Sequence, residues 1–235
     1  VVAEAGDEDW PGVGVLHEQR DPARGIHANH ATHDVARLMA ADHECLRGAR
    51  VLEVGCGSGM LAIMAAKLGA QVIATEICPD SLALTRRNAA LTDGLFDCRE
   101  GHLFEPVRNE EEFDVILANL PHKPGDQDDG LPLSQAGGLQ GDDLWAEAQA
   151  DIAALSRPGS RLHFFLHSLP SPQLLKRLEG THRLRLRSLK LRRLGAEEYG
   201  EVLRQRFRAR CAAGVSFLHR DARGEALVAG SWSAI

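Results

Sequence analysis

The stretch Val51-Leu-Glu-Val-Gly-Cys-Gly-Ser-Gly-Met-Leu61 constrains this chain more than any other. An apolar run carrying one acidic residue, Glu53, turns through Gly55, Gly57 and Gly59 into an amphipathic segment from Met60 to Leu68. The pattern reads as a buried strand, a tight turn and the start of a helix. Glycines are needed in such a turn because a Cβ would block the approach of the backbone to a bound ligand. The dinucleotide fingerprint Gly-x-Gly-x-x-Gly is not met, since Met60 stands where its third glycine would be. The spacing is Glu-x-Gly-x-Gly-x-Gly instead.

The next segments extend the unit. Residues 71–76 form a second apolar run that ends on a carboxylate, Glu76. An acid at the tip of the second strand of a doubly wound sheet can take both hydroxyls of a ribose. A helix introduced by Pro79 comes after it. Then come Glu100-Gly-His102 and a buried run from Phe113 that stops at Asn119-Leu-Pro-His122. The expected parallel strands are 50–55, 71–76, 96–100, 113–119 and 161–167, with helices between them. Two antiparallel strands, 215–220 and 226–232, are expected around a turn from Asp221 to Gly224. Thr32 is expected to cap a helix over 33–47. Residues 124–142, rich in Pro, Gly and Asp, make a loop longer than an ordinary connection, which points to function.

In this order the chain resembles the class I S-adenosylmethionine (SAM) methyltransferases. The likeness is greatest to those that modify planar nitrogen groups, whose fourth motif is Asn/Asp-Pro-Pro-Tyr. Ala74–Ala89 and Gly137–Leu155 look like the protein-glutamine N5 methyltransferases acting on release factors and the related small-domain ribosomal RNA methyltransferases. The resemblance spans about residues 50–167 and is more specific for the cofactor than for the substrate. It implies a Rossmann-like, doubly wound, mostly parallel seven-stranded sheet with an antiparallel C-terminal strand pair. It also implies SAM held by Glu53, Gly55, Gly57, Gly59, Glu76, His102 and Asn119. SAM is a sulfonium cation without phosphate, so a carboxylate beside the glycine turn suits it.

The same resemblance implies that Asn119 and the Pro121 carbonyl accept hydrogen bonds from the target nitrogen. The chain departs from the pattern at Leu120, and at His122, which replaces the tyrosine that stacks on the target. His122 serves either as a stacking platform or as a base whose ordinary pKa is near ~6.5. A further departure is His102, where an acidic adenine-binding residue is common. The expected activity is methylation of a nitrogen in a planar or amine group on a protein or small molecule. Two alternatives remain open: O- or N-methylation of a small natural product, and a catalytically silent SAM-binding subunit.

His27, His30 and His33 form His-x-x-His-x-x-His. Spacing by three drifts around a helix axis and no Asp or Cys partner has ligand spacing, so no metal is expected. The resemblance instead carries residues 1–32 over the site as an arm, with His27, His30 and Thr32 at the substrate entrance and 33–235 as one domain.

The charge is uneven. Residues 181–235 hold twelve Lys/Arg against five Asp/Glu, although the whole chain carries a net charge of −6. Arg183-Leu-Arg-Leu-Arg187 alternates as a half-buried strand does, and Arg204, Arg206, Arg208 and Arg210 fall on an expected helix. RNA binding is the tempting reading. Protection of an exposed sheet edge explains the alternation better, and the tail has few aromatics for base stacking. No apolar run approaches a membrane span, the first residues lack a signal-peptide pattern, and five cysteines show no Cys-x-x-Cys spacing. The chain is therefore expected in the cytoplasm, away from membranes.

Overall fold

The computed structural model describes residues 4–10, 14–20, 28–92, 96–128, 131–170, 173–180, 183–194 and 200–234, with backbone alone for the first two segments. Strands β1 (Glu4–Trp10) and β2 (Gly14–Arg20) pair antiparallel as a separate hairpin. Helix α1 (His30–Ala41) leads into β3 (Arg50–Val54), α2 (Met60–Lys67), β4 (Gln71–Glu76), α3 (Pro79–Leu91), β5 (Asp97–Glu100) and β6 (Phe113–Ala118). The chain continues through α4 (Asp143–Ala154), β7 (Ser156–His167), α5 (Gln173–Glu179), β8 (Leu184–Arg193), α6 (Glu201–Ala212), β9 (His219–Asp221) and β10 (Gly224–Ala234).

The main sheet runs β5-β4-β3-β6-β7-β10-β8, with β9 paired to β10 off this path. β3 through β7 are parallel, and β10 is antiparallel to each of its neighbours. The period-two alternation of a strand sorts the apolar residues onto two faces. Val51, Val115, Leu117 and Phe165 pack with α1, α2 and α3. Leu52, Val54, Ile116, Ala118 and Phe164 pack with α4, α5 and Phe104. Both faces are covered, which is why these strands read as continuous apolar runs. Strand order reverses between β3 and β6, the point where ligands bind in doubly wound sheets.

Several expectations are corrected. α1 begins at His30, because Asn29 Oδ1 accepts the backbone N–H groups of Ala31 (2.9 Å) and Thr32 (3.2 Å). Thr32 is the third helical residue and completes a capping box. The helix stops at Ala41 instead of 47, and a short 3-10 turn over His43–Cys45 comes next. Residues 215–218 do not join the sheet: Phe217 N–H and Ser216 Oγ bond the carbonyls of Ser168 and Leu169 after β7. β10 pairs along its length with β7 and β8, and of the expected partner strand only His219 and Arg220 reach it, with Asp221 of the expected turn. No helix among the described residues is long and apolar enough to cross a membrane.

Candidate functional site

The glycine turn lies at the carboxyl end of β3. Gly55, Gly57 and Gly59 all hold positive φ, at 68°, 59° and 82°. Gly59 has no room for a side chain, since a Cβ would lie 2.6 Å from Thr85 Cγ2. Gly57 is the opposite case: a Cβ there would meet nothing within 4 Å, so its backbone faces open space. The turn is braced from α3, where Thr85 Oγ1 donates to the Gly57 carbonyl (2.9 Å) and Asn88 Nδ2 to the Ser58 carbonyl (2.9 Å). Sequence reasoning misses Thr85 and Asn88. Their signal is two polar residues three apart on the buried face of a helix.

Glu53 points from β3 under the start of α2 and accepts the Ala62 N–H at 2.7 Å. The N-cap of α2 is Gly59, which has no side chain to cap with, so Glu53 supplies the missing acceptor. Burial pushes its carboxyl up to about 8, against the stabilising Ala62 N–H, and nearby Glu76 pushes the same way.

Glu76 ends β4 with both carboxylate oxygens engaged, Oε2 by Gly57 N–H (2.9 Å) and Oε1 by Cys78 N–H (2.9 Å). A carboxylate offers about four acceptor positions, so about one on each oxygen remains. The loop after β5 joins this edge through Gly101 N–H, which donates to the Glu76 carbonyl. There Leu103 holds a φ of 46°, fixed by Thr75 Oγ1 donating to its carbonyl (2.8 Å). A non-glycine residue in that region marks local strain, which gathers at functional sites. His102 lies in the same loop, but its Nε2 is 2.9 Å from Glu147 Oε1 on α4.

β6 delivers the polar turn. Val54 and Ala118 are register partners, so the glycine turn and Asn119 leave adjacent strands side by side. Asn119 Nδ2 donates to Thr32 Oγ1 (3.3 Å), which turns Oδ1 to accept. His122 is buried, and its Nδ1 is 2.7 Å from the Leu120 carbonyl. Burial pushes its ring down to about 4, with Lys123 and His30 adding to the shift. The long loop folds back on the turn: Gly137 N–H donates to the Lys123 carbonyl, and a Cβ at Gly137 would sit 2.6 Å from His122 Cα. Pro121 is part-buried between them.

The structure thus gathers Glu53, Gly55, Gly57, Gly59, Glu76, Asn119, Pro121 and Thr32 at one end of the sheet, with His102 at its margin. His30 sits edge-on to Phe165, ring centroids 5.6 Å apart. His27 lies outside the described residues. Among the described residues, no group of three His, Cys, Asp or Glu side chains is placed to hold a metal ion. The fit to a cationic nucleoside rests on the open face of Gly57, the remaining acceptor capacity of Glu76 and the absence of a complete phosphate fingerprint.

The basic tail is mostly occupied. Among the described residues, at least seven of its twelve cations have acidic partners, among them Arg187 with Asp42, Lys190 with Asp34 and Arg208 with Glu225. Arg210 donates to the Leu139 and Gln140 carbonyls, tying α6 to the long loop.

Comparison with known proteins finds methyltransferases among the proteins this chain is similar to. Residues 28–123 match the family described as ribosomal protein L11 methyltransferase (PrmA). A ribosomal protein L11 methyltransferase from Alkaliphilus metalliredigens is 36% identical over 107 residues, 43% of this chain and 32% of that protein. A release factor glutamine methyltransferase from Deinococcus radiodurans is 30% identical over 183 residues, 74% of this chain and 64% of that protein. The chain therefore spans less than two thirds of the length of either relative. The crystal structure of a ribosomal protein L11 methylase from Lactobacillus delbrueckii subsp. bulgaricus aligns with a TM-score of 0.50 at 20% identity, over 88% of this chain and 80% of that one. The fold is shared with that methylase structure, and residues 28–123 are the part that resembles the L11 methyltransferase family.

Proposed function

We propose that this chain is a SAM-dependent methyltransferase that methylates a nitrogen of a planar or amine group on a protein or small molecule. The observation that carries this reading is the convergence of the open Gly57 turn, Glu76 and Asn119 at the point where strand order reverses. Glu76 would bind the ribose hydroxyls, the Gly55–Gly59 backbone would pack against the nucleoside, and His102 would border the adenine. When bound, SAM supplies an activated methyl on a sulfonium. Little is then left for the protein beyond orientation, the effect that aligned reactants exploit. Asn119 Oδ1 and the Pro121 carbonyl would accept the target N–H groups and turn the nitrogen lone pair toward the methyl carbon. His122 would stand beside the turn as a ring wall, a role favoured over that of a base by its burial, which pushes its pKa down to about 4.

Residues 1–32 are proposed as the arm over the entrance and 33–235 as the catalytic domain. Thr32 already touches Asn119, and His30 stands beside Phe165. All five cysteines are free thiols, which favours the reducing cytoplasm as the compartment. The named relatives favour a protein side chain as acceptor, and the pairing of the tail's cations makes RNA a weaker choice.

Calorimetric titration with SAM, joined to transfer of labelled methyl onto glutamine- and lysine-containing peptides, tests the reading. Glu76→Gln should weaken SAM binding by about 1.5–3 kcal/mol. Asn119→Ala should depress turnover at every pH, and by more than it weakens SAM binding. Failure of the wild type to bind SAM sinks the proposal. Binding without transfer to any acceptor would move the chain to the silent-subunit class.

A further inference from the structure

The long loop that leaves the Asn119–His122 turn comes back to press on it. A Cβ at Gly141 would lie 2.9 Å from the His122 carbonyl oxygen and 3.1 Å from Pro124, so the loop backbone abuts the turn there. Backbone bonds lace the two segments together. Lys123 N–H donates to the Gln135 carbonyl (3.0 Å), Gly137 N–H to that of Lys123 (2.9 Å) and Gly125 N–H to that of Gly138 (2.8 Å). Asp143, the first residue of α4, steadies the loop from one side by accepting the Leu139 N–H at 3.2 Å.

The other side is held by a helix 70 residues further along the chain. α6 is seated by Phe207, fully buried among Leu169, Leu194, Leu218 and Leu227. Three residues on, on the same side of the helix, Arg210 spreads its guanidinium over the loop. Nη1 donates to the Leu139 carbonyl (3.3 Å) and to Gln140 Oε1 (3.1 Å), and Nη2 to the Gln140 carbonyl (3.3 Å). Nε donates to Ser216 Oγ (3.1 Å), which in turn donates to the Leu169 carbonyl just past the end of β7. All four acceptors of Arg210 are neutral. A planar fork with donors in fixed directions can hold several acceptors at once, which the compact ammonium of a lysine does not.

We infer that Arg210 is a positioning residue for the methyl acceptor. By fixing Leu139 and Gln140 it keeps the adjoining Gly141 against the His122 carbonyl, and so fixes the turn that carries Asn119 and Pro121. This rests on the reading of that turn as the acceptor site. The glycine turn has separate supports, since Glu53, Glu76, Thr85 and Asn88 brace it from β3, β4 and α3. Arg210 therefore governs where the acceptor sits and not how tightly the cofactor is held.

The test is amide hydrogen exchange, followed residue by residue by NMR on the full chain with and without S-adenosylhomocysteine. Arg210→Ala should speed exchange at Lys123, Gly125 and Gly137 by about tenfold or more, while Gly57, Ala62 and Cys78 keep their wild-type rates. Affinity for S-adenosylhomocysteine should not change. Turnover on the peptide that the wild type methylates should fall by about tenfold or more, with the KM for SAM unaltered. Arg210→Lys keeps the charge but not the fork, and should restore neither the slow exchange nor the rate. Should Arg210→Ala fold poorly, Gln140→Ala removes one acceptor and should speed exchange at the same three amides to a smaller degree. Wild-type exchange at those amides in Arg210→Ala would overturn the inference. So would an equal acceleration at Gly57, Ala62 and Cys78, which marks a general loss of stability, or full recovery in Arg210→Lys. A wild type that neither binds S-adenosylhomocysteine nor transfers methyl would instead count against the methyltransferase reading, and the exchange rates of the free chain would still decide whether Arg210 holds the turn.

Discussion

Glu53 joins stability and function in one side chain. Its carboxyl caps α2 through the Ala62 N–H, yet burial holds its pKa near 8, so the folded protein retains a proton the unfolded chain has released. The stability it contributes is complete below the ordinary value of 4.5 and is lost as pH rises toward 8. Glu53→Gln keeps an acceptor for Ala62 and cannot ionise. Urea unfolding should therefore show the wild type losing stability between about pH 5 and about pH 9, by an amount on the order of a few kcal/mol, that the variant does not lose. Parallel curves for the two proteins would show that the ionised carboxylate is tolerated. The three glycines, Glu53 and Glu76 were legible in the sequence as a motif. Thr85 and Asn88 were not, because a helix pattern shows which residues are buried but not which turn they touch.

At the scale of elements, β8 keeps Leu184 against the core and Arg183 and Arg185 exposed, while its later half turns cations toward α1. Leu189 and Leu191 are exposed, while Arg187, Lys190 and Arg192 turn toward α1. The register slips between Ser231 and Trp232 of β10, opposite Arg187, and this irregularity brings 187 onto the same face as 190 and 192. Their anchors are Asp42 and the buried Asp34. Burial alone would raise the Asp34 carboxyl, but Lys190, Arg192 and Arg37 outweigh it and hold it below 3.8. Its contribution is thus present above that value and lost as pH falls below it. Asp34→Ala should destabilise the fold by about 1–3 kcal/mol, kept modest because the three cations are part-exposed and can turn to water. An unfolding midpoint unchanged at neutral pH would show the cluster to be incidental.

For the whole molecule, the separation of charge along the sequence largely disappears on folding. The basic tail lies against acids of α1 and against its own Glu201, Asp221 and Glu225. RNA should therefore bind only in the non-specific range of about 10⁻⁴–10⁻⁶ M, with affinity falling steeply as salt is raised. Fluorescence anisotropy with labelled single-stranded and duplex RNA checks this. Tight and selective binding of one RNA at physiological salt would restore the nucleic-acid reading.

The parallel strands, the glycine turn and the polar strand ends at Glu76 and Asn119 were determined by the sequence itself. Burial on both faces and the conformational demands of a tight turn leave local signatures, namely apolar runs and glycine spacing. Other features were decided only when distant segments met. Asn29 displaced Thr32 as the cap by presenting an acceptor closer to the first free N–H groups, and β8 took the place beside β10 that residues 215–218 were expected to hold. Arg187, Lys190 and Arg192 turned toward α1 because Asp34 and Asp42, some 150 residues away in the chain, supplied their counter-charges. His167 looked like the end of an apolar strand until the fold set its ring beside His122. Pairing energies of this kind depend on which groups become neighbours, and a linear pattern does not record that.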